Sequence, residues 1–590
     1  MNARTFFDLG DGAAASPATL HFNSYVDVLG HHAALRGDQL ALTELPNLKD
    51  EGRRYTYAEV DLRCRAIAAK LQALGAAGER ALLVFDNDAD YLLSFLACAY
   101  AGVIAVPLFA PTQRNHVARF KAVAADCGAR LLLTNFSASE RQGRLGLGEA
   151  DFPPLLRVAV DAIDDAMAAA WYPYHPAADE LAFLQYTSGS TGMPRGVMVT
   201  HGNLMYQGRY IQNNCALRGE DRALSWLPLY HDMGLIVGGL QPLFCGYPLW
   251  LALPQSVVMH PERWLRAISQ LRITHAGAPN FIYDLCCNSV QLDRLADIDL
   301  SCWAVAFNSA EPIRQSSIER FTRTFAALGL PPTSPNPAYG LAEATLAVSI
   351  KPRDGNPVFH SADAAQLSMG QVKAPHEGRP ERHLVSCGKV ALQTRVVIVD
   401  PDTHAPCLGG RIGEIWVAGP TVAKGYWGRP EQSHDTFEAR TLSGEGPFLR
   451  TGDLGFVDEE GELYVTGRVK DLIIVAGKNH YPQDIEETVE SASPAIRPHA
   501  VAALAVDGLT GEAVMVLAEV HRRLAADFDP LLTARAIRTR VAQHHQVPVA
   551  EVVLLERGQL PMTTSGKIQR RACRELLQSG VLQVVGRYAT

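Results

Sequence analysis

The chain has 590 residues and eleven cysteines, but no Cys-x-x-Cys pair; only Cys286 and Cys287 are neighbours. This scatter excludes a zinc-ribbon or disulfide framework and points to reduced thiols in the cytoplasm. Positive charge is not in surplus either. With 54 Lys and Arg against 62 Asp and Glu, the net charge is −8, so nothing draws the chain onto nucleic acid or anionic lipid. Unbroken apolar runs long enough for a membrane are missing as well. The uncharged stretches 91–111 and 233–259 carry Gly102, Pro107 and Pro111, and Gly234, Gly238, Gly239, Pro242, Gly246, Pro248 and Pro254. A span needs about 20 predominantly apolar helical residues, so both read as buried α/β core and no membrane span is expected. The first residues lack the basic-then-apolar order of a signal peptide, the last lack a lipidation box, and no repeat or low-complexity tract occurs.

Short apolar runs alternate with helical spacers over the first 310 residues or so: ALLVF (81–85), GVIAVPL (102–108), ARLLLT (129–134), LAFLQYT (181–187) and CWAVAFN (302–308) are examples. That rhythm predicts parallel sheets covered on both faces. Beyond about residue 384 the runs TRVVIVD, GEIWVAG, FLRTGDLGFVD and ELYVTGRV are joined by turns such as DEEG, the pattern of antiparallel hairpins. An α+β stretch follows GRVKD at 467–471.

One run asks for an anion. In LQYTSGSTGMPRGV (184–197) a strand-like segment opens into Gly, Ser and Thr. Unpaired backbone N–H groups and hydroxyls in such a loop can cradle phosphate. It is not a Walker loop, because the GxxxxGK[ST] spacing is absent both here and around Gly566-Lys567.

The run YTSGSTGMPRGV resembles the nucleotide-loop signature of the adenylate-forming superfamily, which includes acyl-CoA ligases, peptide adenylation domains and luciferase. It is followed in order by NSAEPI (308–313), YGLAEAT (339–345), RTGD (450–453), GRVKDLIIVAGKNHYPQDIE (467–486) and TTSGKIQR (563–570). The resemblance implies an α/β protein: a large N-terminal domain of two doubly wound sheets plus a β-barrel-like subdomain over 1–470, and a small mobile α+β C-terminal domain over 471–590. It implies ATP and Mg²⁺ as cofactors.

Carried over to this chain, Thr187, Ser188, Gly189, Ser190, Thr191 and Gly192 hold the β- and γ-phosphates, with Arg195 standing where many members have Lys. The segment Ser309, Ala310, Glu311 and Pro312, with Tyr339 and Gly340, frames the adenine. Glu343 helps bind Mg²⁺, Asp453 accepts from the ribose hydroxyls with Arg468 beside it, and Lys567 reaches the reacting oxygens. His231 resembles a position near the reacting carboxyl group, and Asp471 matches the hinge about which the small domain turns between half-reactions. Singly, an Asp after Thr-Gly is more often a turn residue and a Lys in a Gly-rich tail is usually solvated. In this order and context they read together as a site.

Within the superfamily, WLPLYHDMGLIVGGLQPLFCGYPLWLALPQ, ERWLRAISQLRITHAGAPNFIYDLC and LVSCGKV look most like the fatty acyl-AMP ligases. Such enzymes make a fatty acyl-adenylate and pass the acyl group to the phosphopantetheine thiol of an acyl carrier protein, here expected to be a separate chain. The alternative is a medium- or long-chain acyl-CoA ligase; a luciferase-like oxygenase or a noncatalytic adenylate-binding protein is further off. The branch is marked by an insertion. Between Glu343 and Gly388 lie 44 residues, and the extra material is assigned to about 351–380. The uncharged 233–259 stretch and APNFIYDL (278–285) are candidates for an acyl tunnel wall, or simply core.

Overall fold

The computed structural model describes residues 22–111, 114–144, 154–187, 194–390, 393–475, 478–508, 511–521, 528–562 and 567–589. The first sheet has six strands in the order Leu156–Ala159, Leu131–Thr134, Arg80–Phe85, Ile104–Phe109, Leu181–Thr187 and Arg195–Thr200. Five run parallel, and the last is antiparallel to its neighbour, pairing Thr187 with Arg195.

The second sheet has fourteen strands. Its parallel portion is Leu40–Glu44, Leu249–Leu251, Ala223–Ser225, His275–Ala278, Val305–Asn308 and Pro335–Gly340. From Pro335–Gly340 onward the pairing turns antiparallel through Ala347–Ile350, Glu381–Val390, Glu462–Arg468, Leu449–Val457, Gly413–Ala418 and Arg395–Val399. The barrel-like part expected beyond residue 384 is thus continuous with the second sheet.

Helix Ala89–Ala101 lies between the two sheets, packed against strands of both, with every residue buried. Asp88 caps it by accepting from the Tyr91 N–H at 3.0 Å, and Gly102, at φ +67°, ends it in the left-handed region. A Cβ there would fall 2.9 Å from the Tyr174 ring, so the stop is also steric. The buried Asp90 is satisfied by Arg53 at 2.8 Å and Asn135 Nδ2 at 2.9 Å. The 233–259 stretch breaks as its glycines and prolines predict, into a wide helical turn Gly234–Leu240, helix Gln241–Cys245, strand Leu249–Leu251 and helix Pro254–Met259. Among the described residues no helix is long and apolar enough to cross a membrane. Core packing between these layers is aromatic-rich: Trp264, Trp303 and Phe321 meet edge to face, each side chain worth about 1.5–3 kcal/mol in burial.

The small C-terminal domain has a four-stranded sheet, Ile496–Gly508, Gly511–Val520, Val549–Leu555 and Val584–Ala589. Helices Pro482–Glu490 and Pro530–His545 close a core of its own around Ile485, Val489, Val516, Ile537 and Val552. Within 351–380 the chain forms strand Phe359–Asp363 and helix Ala364–Ser368, seated on a small core of Ala362, Leu367, Leu384, Phe456 and Tyr464. That helix lies against the strand Lys478–His480.

Candidate active site

In open parallel sheets the carboxyl ends of the strands leave loops free to gather polar groups. Four such ends in the second sheet do so. Val305–Asn308 leads into Ser309–Pro312, His275–Ala278 into Pro279–Phe281, Ala223–Ser225 into the turn carrying His231 and Asp232, and Pro335–Gly340 carries Tyr339 next to its last residue. Ser309 Oγ donates to the Ala338 carbonyl at 2.9 Å, and the Glu311 carboxylate accepts from the Phe281 N–H at 2.6 Å. Ala310 has φ +75°, so this turn is held in a conformation that favours glycine. Pro312 is exposed at its edge. Gly340 is required: a Cβ would sit 1.8 Å from the Leu346 carbonyl oxygen.

Asp453 is the best-fixed acid. It is 5% exposed and accepts from Tyr339 Oη at 2.8 Å and Arg468 Nε at 2.7 Å, and strand register sets it opposite Arg468. The carboxylate holds Arg468 firmly protonated, while burial, then Asp453, push the Tyr339 phenol well above its usual range.

Lys567 enters this cleft from the small domain. More than a third of its surface is open to solvent, yet protein surrounds it on several sides, as in a wet cleft. Burial, then Arg468, lower its pKa, while Asp232, Asp453 and Glu311 pull it up. Burial raises the pKa of both Asp232 and Glu311, with Lys567 opposing. His231, tilted against Tyr230 at 4.8 Å between ring centres, is pushed down to about 3 by burial, then by Lys567 and Arg119, and is neutral.

A second group lies where the first sheet's edge meets the turn after Gly340. Thr187 and Arg195 face each other across the ends of the hairpin; Ser188, Gly189, Ser190, Thr191 and Gly192 lie outside the described residues. The Arg195 guanidinium stacks over the Tyr426 ring at 4.8 Å, and Tyr426 Oη donates to Glu343 Oε1 at 2.9 Å. The backbone carbonyl of Glu343 accepts from the Ala423 N–H at 2.9 Å. Two members of the site were not singled out from the sequence. Asp232 could have been found as the acid beside His231, whereas Tyr426 has no local signal; only pairing of Gly425–Trp427 with the strand Arg195–Thr200 brings it in.

Several side-chain contacts among the described residues hold the small domain. Arg314 meets Glu490 at 2.8 Å, His499 meets Asp284 at 3.3 Å, and Arg382 meets Asp484 at 3.0 Å while lying 4.6 Å over the Tyr481 ring. Asp471 accepts from Arg570 Nη1 at 3.0 Å, three residues beyond Lys567.

Strand ends that gather Asp453, Arg468 and Lys567 in one cleft, with Arg195 and Glu343 near the first sheet's edge, suit an anionic ligand. The AMP-binding enzyme family matches over residues 29–427, and residues 470–585 match a Disco-interacting protein 2-like AMP domain. The medium-chain-fatty-acid–[acyl-carrier-protein] ligase JamA of Moorena producens is 39% identical, over 95% of this chain and 96% of its own. The long-chain-fatty-acid–AMP ligase FadD32 of Mycolicibacterium smegmatis is 38% identical, over 93% of this chain and 94% of its own. A structure of the fatty acyl-adenylate ligase from L. pneumophila, in complex with acyl adenylate and pyrophosphate, superposes with a TM-score of 0.74 at 35% identity, covering 96% of this chain and 98% of that one. The chain belongs to the AMP-binding enzyme family and, within it, to the fatty acyl-AMP ligases.

Proposed function

We propose that the protein activates a fatty acid with ATP and delivers the acyl group to the phosphopantetheine thiol of a separate acyl carrier protein. A carboxylate oxygen of the acid attacks the α-phosphorus in line, the bond to the β-phosphate oxygen breaks, and pyrophosphate leaves. The thiol then takes the acyl group and AMP departs.

The roles follow from chemistry at each position. Lys567 compensates charge between the carboxylate and α-phosphate, Asp453 holds the ribose hydroxyls with Arg468 bracing it, and Tyr339 with 309–312 frames the adenine. Thr187, the 188–192 loop and Arg195 hold the outer phosphates. Neutral His231 lies beside the acyl carboxylate without adding charge. Among the described residues no group of three or more His, Cys, Asp or Glu could hold a metal alone. A single anchored carboxylate, Glu343, still fits Mg²⁺, which usually completes its shell with water and substrate phosphate. Bound there, Mg²⁺ neutralises phosphate charge. Eleven unpaired thiols fit a cytoplasmic enzyme.

The observation that carries this reading is the fixing of Asp453 between Tyr339 Oη at 2.8 Å and Arg468 Nε at 2.7 Å, beside the strand-end turns of the second sheet. We place the domain boundary at 470/471, with Asp471 as the hinge, and give the 351–380 insertion the task of restraining the small domain through its seat on Lys478–His480 and through the adjoining Arg382. CoA use is thereby disfavoured. Fatty-acid-dependent ATP–pyrophosphate exchange tests the reading: exchange with a medium- or long-chain acid supports it, and none across a graded series would remove it.

A further inference from the structure

Asp453 stands on a strand that is irregular along both edges. Against Gly413–Ala418 the register runs from Glu414 opposite Leu454 to Trp416 opposite Arg450, so three residues, Thr451, Gly452 and Asp453, bulge out against Ile415 alone. Against Glu462–Arg468 the pairing slips again between Leu454 and Gly455, just beyond Asp453. Bulges of this kind re-aim a side chain and leave backbone groups outside the ladder. Those groups then need other partners.

Two side chains supply them. Glu414, only 2% exposed, accepts from the Gly452 N–H through Oε1 at 3.1 Å. Its Oε2 accepts from Arg450 Nη2 at 2.8 Å and from Arg450 Nε at 3.1 Å, so a single carboxylate ties the residue entering the bulge to the residue in its middle. Gly452 itself turns the chain there, at φ +72°. Thr451 Oγ1 donates to the Ile415 carbonyl at 2.7 Å and accepts from the Asp453 N–H at 3.1 Å. Arg450 is fixed in its turn: the guanidinium lies 5.4 Å over the Trp416 ring, and Nη1 donates to His404 Nε2 at 3.3 Å. From Glu414 to Asp453 the path is one hydrogen bond and one peptide bond.

A buried ion pair is seldom more stabilising than apolar side chains of the same volume, so stability alone does not account for an acid at position 414. What the pair provides is a fixed course for the chain. Tyr339 and Arg468 hold Asp453 by its carboxylate oxygens, whereas Glu414 and Thr451 hold the backbone from which that carboxylate projects.

We propose that Glu414, with Thr451 beside it, is a positioning residue for nucleotide recognition, holding the bulge so that Asp453 presents its carboxylate to the ribose hydroxyls. This rests on the reading of Asp453 as the ribose acceptor. The consequence is a specific one: altering Glu414 blunts the distinction between nucleotides with and without those hydroxyls.

The test compares dissociation constants of ATP, 2′-deoxy-ATP and 3′-deoxy-ATP, measured calorimetrically, in wild type, Asp453→Ala and Glu414→Gln. Wild type should bind ATP about 10- to 100-fold more tightly than at least one deoxynucleotide, as expected for hydrogen bonds to a charged acceptor, and Asp453→Ala should bring that ratio close to one. Glu414→Gln keeps the shape but leaves one accepting oxygen where Arg450 and the Gly452 N–H need two, and should lower the ratio at least threefold. Adding it to Asp453→Ala should lower the ratio no further. Unfolded protein reduces the number of binding sites and leaves the ratio untouched, so a merely structural role would not move this readout. Should Glu414→Gln not be recovered folded, Thr451→Val, which breaks the other two bonds of the bulge, decides by the same ratio. The full wild-type ratio in the variant, with Asp453→Ala near one, would overturn the positioning role and leave the ribose reading standing. No preference for ATP in wild type would overturn the ribose reading, and this inference with it.

Discussion

Tyr426 Oη donates to Glu343 Oε1 across 2.9 Å, joining a residue paired with the first sheet's edge strand Arg195–Thr200 to the turn that follows Tyr339. The carboxylate proposed to hold Mg²⁺ is therefore aimed by its neighbour. Removing that hydroxyl in Tyr426→Phe keeps the ring beneath Arg195 but frees the carboxylate. The Mg²⁺ concentration giving half-maximal pyrophosphate exchange should rise about tenfold or more, as expected when a supporting hydrogen bond is lost. An unchanged Mg²⁺ midpoint would contradict the role given to Glu343.

Lys567→Ala should cut adenylate formation by a factor of about 10² to 10³ while ATP binding, measured calorimetrically, changes little. In the role proposed for Lys567 the contrast arises because its charge bears most strongly on the five-coordinate α-phosphate formed as the carboxylate attacks. Equal loss of binding and rate would make Lys567 a nucleotide anchor instead.

The pH dependence of the first half-reaction follows from the same side chain. Burial and Arg468 lower the Lys567 pKa, so protonated lysine is present below that lowered value and is lost as pH rises through it. Adenylation should have an alkaline limb beginning below the ordinary lysine range. Lys567→Arg, which stays charged, should move that limb upward even if its rate is lower. The same limb in both proteins would assign it elsewhere.

Arg382 bridges the strand after the insertion to Asp484 and Tyr481 of the small domain. If the insertion restrains that domain, Arg382→Ala should raise the yield of acyl-CoA severalfold in assays supplied with CoA, without raising the rate of adenylate formation. No gain in acyl-CoA, in this variant or in Tyr481→Ala, would leave the insertion without the proposed effect.

Much of this was legible because the relevant signals are local. The run LAFLQYT coincides with the strand Leu181–Thr187, and TRVVIVD, GEIWVAG and ELYVTGRV fall on the strands Arg395–Val399, Gly413–Ala418 and Glu462–Arg468. The breaks in 91–111 and 233–259 were equally plain, since glycine and proline act where they stand. What stayed hidden depends on distant partners. The strand and helix within 351–380 are stabilised by Phe456 and Tyr464, about a hundred residues on, and their own polar, Gly/Pro-containing sequence reads as loop. Tyr426 joins the site only through pairing with a strand more than two hundred residues earlier.

The central claim is that an acyl-adenylate, not acyl-CoA, is what this enzyme makes for its acceptor. Its most direct test is product analysis of the purified protein with ATP, Mg²⁺ and a medium-chain fatty acid, run in parallel with and without CoA. Acyl-AMP should accumulate alike in both reactions. Conversion to acyl-CoA at a comparable rate would contradict the account and make the chain a CoA ligase.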